Sequence, residues 1–349
     1  MYNYNTYTIA ELRAWLMEHK QNGISEWAID PCRAYAFINN PCAKDDDPAL
    51  VVVFDDKGEP VGYTGAFAED FVEGNIKGRF FWGSTEWLNP SFRGQGIAAS
   101  MMDKIKVSVG YDKYLALESS EASVRLDKKQ GSEVKYYPRI KYKLFSKNSI
   151  KETCYSYFIR RKNKKSLIGL NKYQYRNKYV TFIDEETYDF IRAHAQKDLF
   201  LRKRDMFNWM LHYPFLMPVD EDGRAEKSKC EFGSVVRQHS WKTVKVLAEG
   251  VLRGVYIISQ TDKVRTLRYL YYEKEYKELV FASMANNMIY KGVEEIRFFS
   301  EDFHEFLSQH SIKRLNRKTL LEPVSYTFPN GMMFDKTLLV QGGDGDMFC

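Results

Sequence analysis

The chain has 349 residues, 44% of them hydrophobic and 28% charged, and carries a formal net charge of +6 at pH 7. That composition excludes disordered and collagen-like chains and gives enough length for two domains that each bury a core. No apolar run is long enough to cross a bilayer, the start lacks the basic and apolar regions of a signal peptide, and the five scattered cysteines form no C-x-x-C pair, so a cytoplasmic protein with neither membrane partner nor metal is expected.

Thr8 and Glu11 have capping-box spacing, and Ile9, Leu12, Trp15 and Leu16 then make one apolar helix face. Residues 22–48 read as a loop. Residues 49–54 and 61–67 are two apolar runs around a turn-rich 55–60, which predicts a β-hairpin. Residues 80–88 read as a strand, which Asn89-Pro90-Ser91 interrupts because Pro90 has no N–H to donate. Arg93-Gly94-Gln95-Gly96-Ile97-Ala98 follows, and Ile97, Met101, Ile105 and Val109 recur at helical spacing behind it.

The order strand, glycine-bearing loop, helix start suits an anion. Orphan N–H groups and the positive end of the helix dipole attract a phosphate, glycines let the backbone approach it, and Arg93 adds a fixed charge. The plainer alternative is a tight turn containing a glycine pair. The glycines are not in dinucleotide-fold order, and no Lys-Ser/Thr makes the loop a P-loop.

Beyond this stretch, residues 114–117 read as a strand, 120–130 as a helix ending at Gly131, and 134–137 and 140–145 as strands. Residues 135–178 hold many lysines and arginines against a single acid, Glu152. With no RNA or DNA motif beside them they read as a solvated basic linker, so nucleic acid is not expected as a partner. Element order then repeats: helices over 181–195 and 196–211, strands over 243–247, 251–259 and 264–271, a helix over 275–290, a strand over 293–299, a helix over 302–309, and closing strands over 319–328 and 334–340. At the second strand–helix junction Glu273 and Glu275 stand where the first has Gly94 and Gly96.

The hexamer 93–98 matches the R/Q-x-x-G-x-G/A motif of the GNAT N-acyltransferase superfamily, and the element order over about the first 145 residues resembles that family's. The resemblance implies an α/β fold, a mixed sheet built from two tandem GNAT-like acyl-CoA N-acyltransferase domains. These would cover residues 1–150, with the acyl-CoA site, and 179–349, a degenerate copy, joined by the basic linker 151–178. It places Glu86, Trp87 and Leu88 beside the thioester, with N–H groups near Leu88 as oxyanion donors, and Arg93, Gly94, Gln95, Gly96, Ile97 and Ala98 on the pyrophosphate.

The family's usual proton-donating tyrosine is replaced here by Asp127, taken as an exposed, ionised carboxylate unable to donate, so Tyr136 or Tyr137 is expected to substitute. Glu86 and Glu118 are candidate bases, each equally readable as a strand-end carboxylate in an ion pair. The implied function is transfer of an acetyl or other acyl group from acetyl-CoA or another acyl-CoA to a primary amine of a small molecule. Alternatives are a tRNA-dependent aminoacyltransferase of the peptide-bridge type and a non-catalytic CoA-binding protein.

Overall fold

A computed structural model describes residues 2–22, 29, 31–117, 120–218, 234–289, 292–326 and 337–345. The first half runs β1 (Asn3–Thr8), α1 (Ile9–Asn22), α2 (Pro31–Ile38), β2 (Pro48–Phe54), β3 (Pro60–Phe71), β4 (Gly78–Leu88), α3 (Ile97–Val109), β5 (Tyr114–Leu117), α4 (Glu121–Lys129) and β6 (Glu133–Lys143). After α5 (Ile150–Gly169) the second half repeats that order. It runs β7 (Arg176–Val180), α6 (Glu185–His194), α7 (Arg204–His212), β8 (Leu216–Pro218), β9 (Ser234–Val236), β10 (His239–Ala248), β11 (Val251–Thr261), β12 (Val264–Tyr272), α8 (Lys277–Met288), β13 (Glu295–Phe298), α9 (Glu301–Gln309) and β14 (Asn316–Tyr326). The small pair β8–β9 is an addition to the second copy.

The capping box forms as the sequence predicts: the Thr8 N–H donates to the Glu11 carboxylate at 2.7 Å and the Glu11 N–H to Thr8 Oγ1 at 3.3 Å. Two readings need correction, and one strand was not expected. Residues 3–8 are an edge strand on β2, polar enough (Asn-Tyr-Asn-Thr-Tyr-Thr) to show no apolar alternation. The expected loop 22–48 contains α2, opened by Pro31, whose lost N–H costs nothing at a first helical position; its Ala34, Ala36 and Phe37 are buried. The expected linker 151–178 is mostly the helix α5, capped by Ser149 accepting from the Glu152 N–H, followed by the sheet strand β7. In addition, the helix expected over 196–211 starts only at Arg204, and of the strand expected over 334–340 the described part makes a lone bridge between Leu339 and Asp198.

The halves are not side-by-side copies. One twelve-stranded sheet runs β1-β2-β3-β4-β5-β14-β6-β13-β12-β11-β10-β7. Each half therefore ends on the other's sheet: β14 pairs with β5 through Val324–Leu117, and β6 pairs with β13 through Ile296–Tyr142. The exchanged strands pair with each other antiparallel along their length, from Asn316 opposite Lys143 to Tyr326 opposite Glu133.

The packing crosses over too. The larger core joins Leu12, Val51, Phe67 and Ile105 of the first half to Phe200, Met206, Phe207 and Trp209 of the second. Trp209 Nε1 also donates to the Ala36 carbonyl at 2.7 Å. The smaller core sets Ile140 and Tyr142 of β6 against Val280, Phe281, Met284 and Phe303. A buried polar knot ties the halves as well: Trp82 Nε1 donates to Glu69 at 2.6 Å, Arg202 lies 3.5 Å from that carboxylate, and Arg202 also donates to the Gly345 carbonyl at 2.7 Å. Burial lifts the Glu69 pKa while Arg202 opposes the rise.

Candidate active site

Strands β4 and β5 run parallel but pair only at Phe81–Tyr114 and Trp82–Leu115. Beyond Trp82 no strand among the described residues lies beside the end of β4 on that side, and α3 and α4 flank the gap. The opening is a cleft of about 530 Å³, with Glu86, Trp87, Leu88, Arg93, Gly94 and Gly96 on one side and Ser123, Leu126 and Lys129 on the other.

A bulge sets the direction of the strand end. Thr64 pairs with Glu86 and Gly65 with Ser84, so Thr85 is the extra residue, held at a φ of 60°, a region a threonine seldom occupies. Below Gly65 a Cβ would come within 3.0 Å of the Ser84 carbonyl, so only glycine lets the strands close around the bulge. The bulge turns Glu86 into the cleft. Farther along, the Asn89 N–H donates to the Val61 carbonyl at 2.9 Å. Alternation along the strand then points the N–H and C=O of Leu88 away from β3, toward the gap. That carbonyl is taken by Arg93 Nε at 3.1 Å.

The loop is built as its residues dictate. Asn89 Oδ1 accepts from the Ser91 N–H at 3.0 Å and Pro90 opens a single tight turn. Gly94 and Gly96 have φ values of 81° and 79°, the left-handed region, and a Cβ on either would meet nothing within 4 Å. Conformation requires glycine here, and the space over the loop is open. Gly96 caps α3 without any side chain bonding the first-turn N–H groups. Open space, unpartnered donors and Arg93 together fit a pyrophosphate. Gln95 does not line the cleft; its Oε1 accepts from the Tyr2 hydroxyl at 2.7 Å.

Glu86 is mostly buried and accepts from Ser123 Oγ at 2.7 Å. Burial raises its pKa above the usual carboxylate range, the Ser123 bond works against the rise, and Asp127 adds to it. Ser123, on the first turn of α4, was not among the sequence candidates, although Ser120 capping that helix marks the turn that carries it.

The expected proton donors fare differently. Asp127 is not exposed: it is fully buried, with Oδ1 2.7 Å from Lys106 Nζ, and Lys106 also donates to Gln130 Oε1 at 2.9 Å. It ties α4 to α3. Tyr136 is half-exposed and lines a separate cavity with Val124, Lys128 and Pro323 on the other face of α4, so the structure does not bring it to Glu86. Tyr137 packs on the larger core, with its hydroxyl pKa pushed up to about 12 by burial and by Asp344, and does not line the cleft. Glu118 lies outside the described residues. Among the described residues no group of three or more His, Cys, Asp or Glu side chains could hold a metal.

The second copy's junction is filled. Arg253 donates to Glu273 at 2.7 Å and lies over the Tyr276 ring at 4.4 Å, where the first copy has bare backbone.

Residues 9–131 match the model of the acetyltransferase (GNAT) family. Among solved structures, a GCN5-related N-acetyltransferase from Kribbella flavida superposes with a TM-score of 0.51 at 9% identity, over 93% of this chain and 71% of its own. A protein of Enterococcus faecalis described as a probable N-acyltransferase gives 0.51 at 12%, over 93% and 72%. The N-myristoyltransferase of Saccharomyces cerevisiae with bound myristoyl-CoA gives 0.50 at 9%, over 94% and 79%. At these identities the likeness is one of fold. No curated protein matches the sequence.

Proposed function

Because residues 9–131 match the model of the acetyltransferase (GNAT) family, we propose that the chain is an acyl-CoA-dependent N-acyltransferase that moves an acetyl or other acyl group to the primary amine of a small molecule. The carrying observation is the open-faced glycine loop at an uncapped helix start beside the splayed strands. In this reading Arg93, Gly94, Gly96, Ile97 and Ala98 hold the pyrophosphate, and Trp87 and Leu88 flank the pantetheine arm.

The amine nitrogen attacks the thioester carbonyl, the C–S bond breaks, and the acyl group passes to nitrogen while CoA leaves as a thiol. The outward Leu88 N–H is the group to stabilise the carbonyl oxygen as it gains charge. Glu86, its pKa raised by burial, takes the ammonium proton before attack. The departing sulfur has no tyrosine acid beside it among the residues that line the cleft; a thiolate is a tolerable leaving group, and the second proton that the nitrogen sheds on forming the amide can reach it through water.

The same lack of a tyrosine supports a second reading, a CoA-binding protein without catalysis. Incubating the protein with acetyl-CoA and a panel of amino sugars, polyamines and amino acids, with free thiol as the readout, separates the two. Amine-dependent thiol release, lost in Gly96→Glu, supports the enzyme. CoA binding without release for any amine favours the second reading.

A further inference from the structure

Helix α5 is seated on the protein by a narrow stripe. Ser156, Ile159 and Asn163 are buried, as is Leu170 just past the helix end, and Asn163 exchanges two hydrogen bonds with the backbone of Lys313, at 2.9 and 2.7 Å. At about 100° per residue the line opposite that stripe is Ile150, Cys154, Tyr157, Arg161 and Ile168, with Phe158 beside it. A free helix normally turns its charges outward. Here Ile150 is 86% exposed, Tyr157 and Ile168 58% each, and Phe158 48%. Lys151, Lys162, Lys164 and Lys165 flank this ridge, and the helix's one acid, Glu152, accepts from Ser146 Oγ at 2.6 Å. Along one flank of the helix runs a cavity of about 660 Å³, where Tyr157, Arg161 and Ile168 of the ridge face Leu144, Ile289 and Val293, with Lys164 beside them.

We propose that α5 lies on an anionic lipid surface. Apolar and aromatic tips with cationic flanks supply the two signals that reversible membrane attachment needs, burial of a few side chains and attraction to acidic headgroups. Long lysine and arginine stems let the charges reach the headgroups while the ridge sinks. The cavity, with greasy walls and cations, suits the same amphipathic anion. A nucleic acid would use the cations and the rings; it gives no reason for exposed Ile150 and Ile168 or for an apolar cavity. Among the described residues no helix is long and apolar enough to cross a membrane, so the attachment is to one face.

The full chain is sedimented with phosphatidylserine-containing vesicles and with purely phosphatidylcholine vesicles. Binding to the first at least tenfold tighter is expected, weakening with salt. Arg161→Glu with Lys165→Glu should lower it tenfold or more, whereas Lys57→Glu with Lys77→Glu, the same charge change on exposed lysines elsewhere, should not. In Tyr157→Trp, brominated acyl chains should quench more emission than in the unaltered protein. Any one of three results overturns the proposal: no retention on the anionic vesicles, equal loss with the control pair, or displacement of the vesicles by a single-stranded RNA that binds more tightly through the same residues.

Discussion

A carboxylate set as Glu86 is, mostly buried at the cleft wall and bonded by Ser123, should control the rate through its protonation. Its raised pKa means that kcat/KM climbs with pH until Glu86 has ionised, above the ordinary carboxylate range. Glu86→Gln should remove that limb and lower kcat/KM about a hundredfold. Ser123→Ala removes a bond that favours the charged form, so the limb should move to higher pH. A limb that stays in place in Ser123→Ala would assign it to another group. Gly96→Glu should cut CoA affinity in calorimetry at least tenfold, about 1.4 kcal/mol, by adding strain at a positive φ and a charge facing the phosphate.

Asp127 carries a different expectation now that its partner is known. Removing one member of a buried pair strands the other, so Asp127→Asn should cost about 3 kcal/mol in chemical denaturation. Lys106→Met combined with Asp127→Leu should recover most of it. The sequence could show that an aspartate stands at the tyrosine's place. It could not show Lys106, 21 residues away, reaching it.

At the level of elements, the junction at 88–97 was legible because each constraint on it is local: a proline that ends a ladder, glycines that demand positive φ, and helical spacing behind them. Elements set by tertiary contact were not. Helix α5 turns Ser156 and Asn163 inward, polar residues satisfied by backbone partners, so no apolar stripe marks it as a helix. Strand β1 is polar and borrows its order from β2. The repeat was visible as element order, and the lost glycines at Glu273 already argued against a second phosphate site; the Arg253–Glu273 pair occupies that place. Titration of the full chain with CoA should therefore give one site per chain. A stoichiometry of two would contradict the filled junction.

At the scale of the molecule, the sequence located two copies but not their exchange, because register between strands some two hundred residues apart leaves no local trace. With β14 seated between β5 and β6 and one core spanning both halves, the chain should unfold in a single transition in which circular dichroism and tryptophan fluorescence coincide. Cutting near Lys165 strips β5 of its β14 neighbour and the larger core of Phe207 and Trp209. The fragment should be aggregation-prone and poorly active.

The exchanged strand also orders events in time. A ribosome delivers β5 long before β14, so the first half leaves the exit tunnel with a gap in its sheet beside the cleft proposed to bind CoA. Pairings that span nearly the whole chain form late and slowly. Domain-by-domain folding during synthesis, the usual course for large proteins, is closed to this one: the sheet around residues 86–117 is finished only when β14, some two hundred residues later, has been translated.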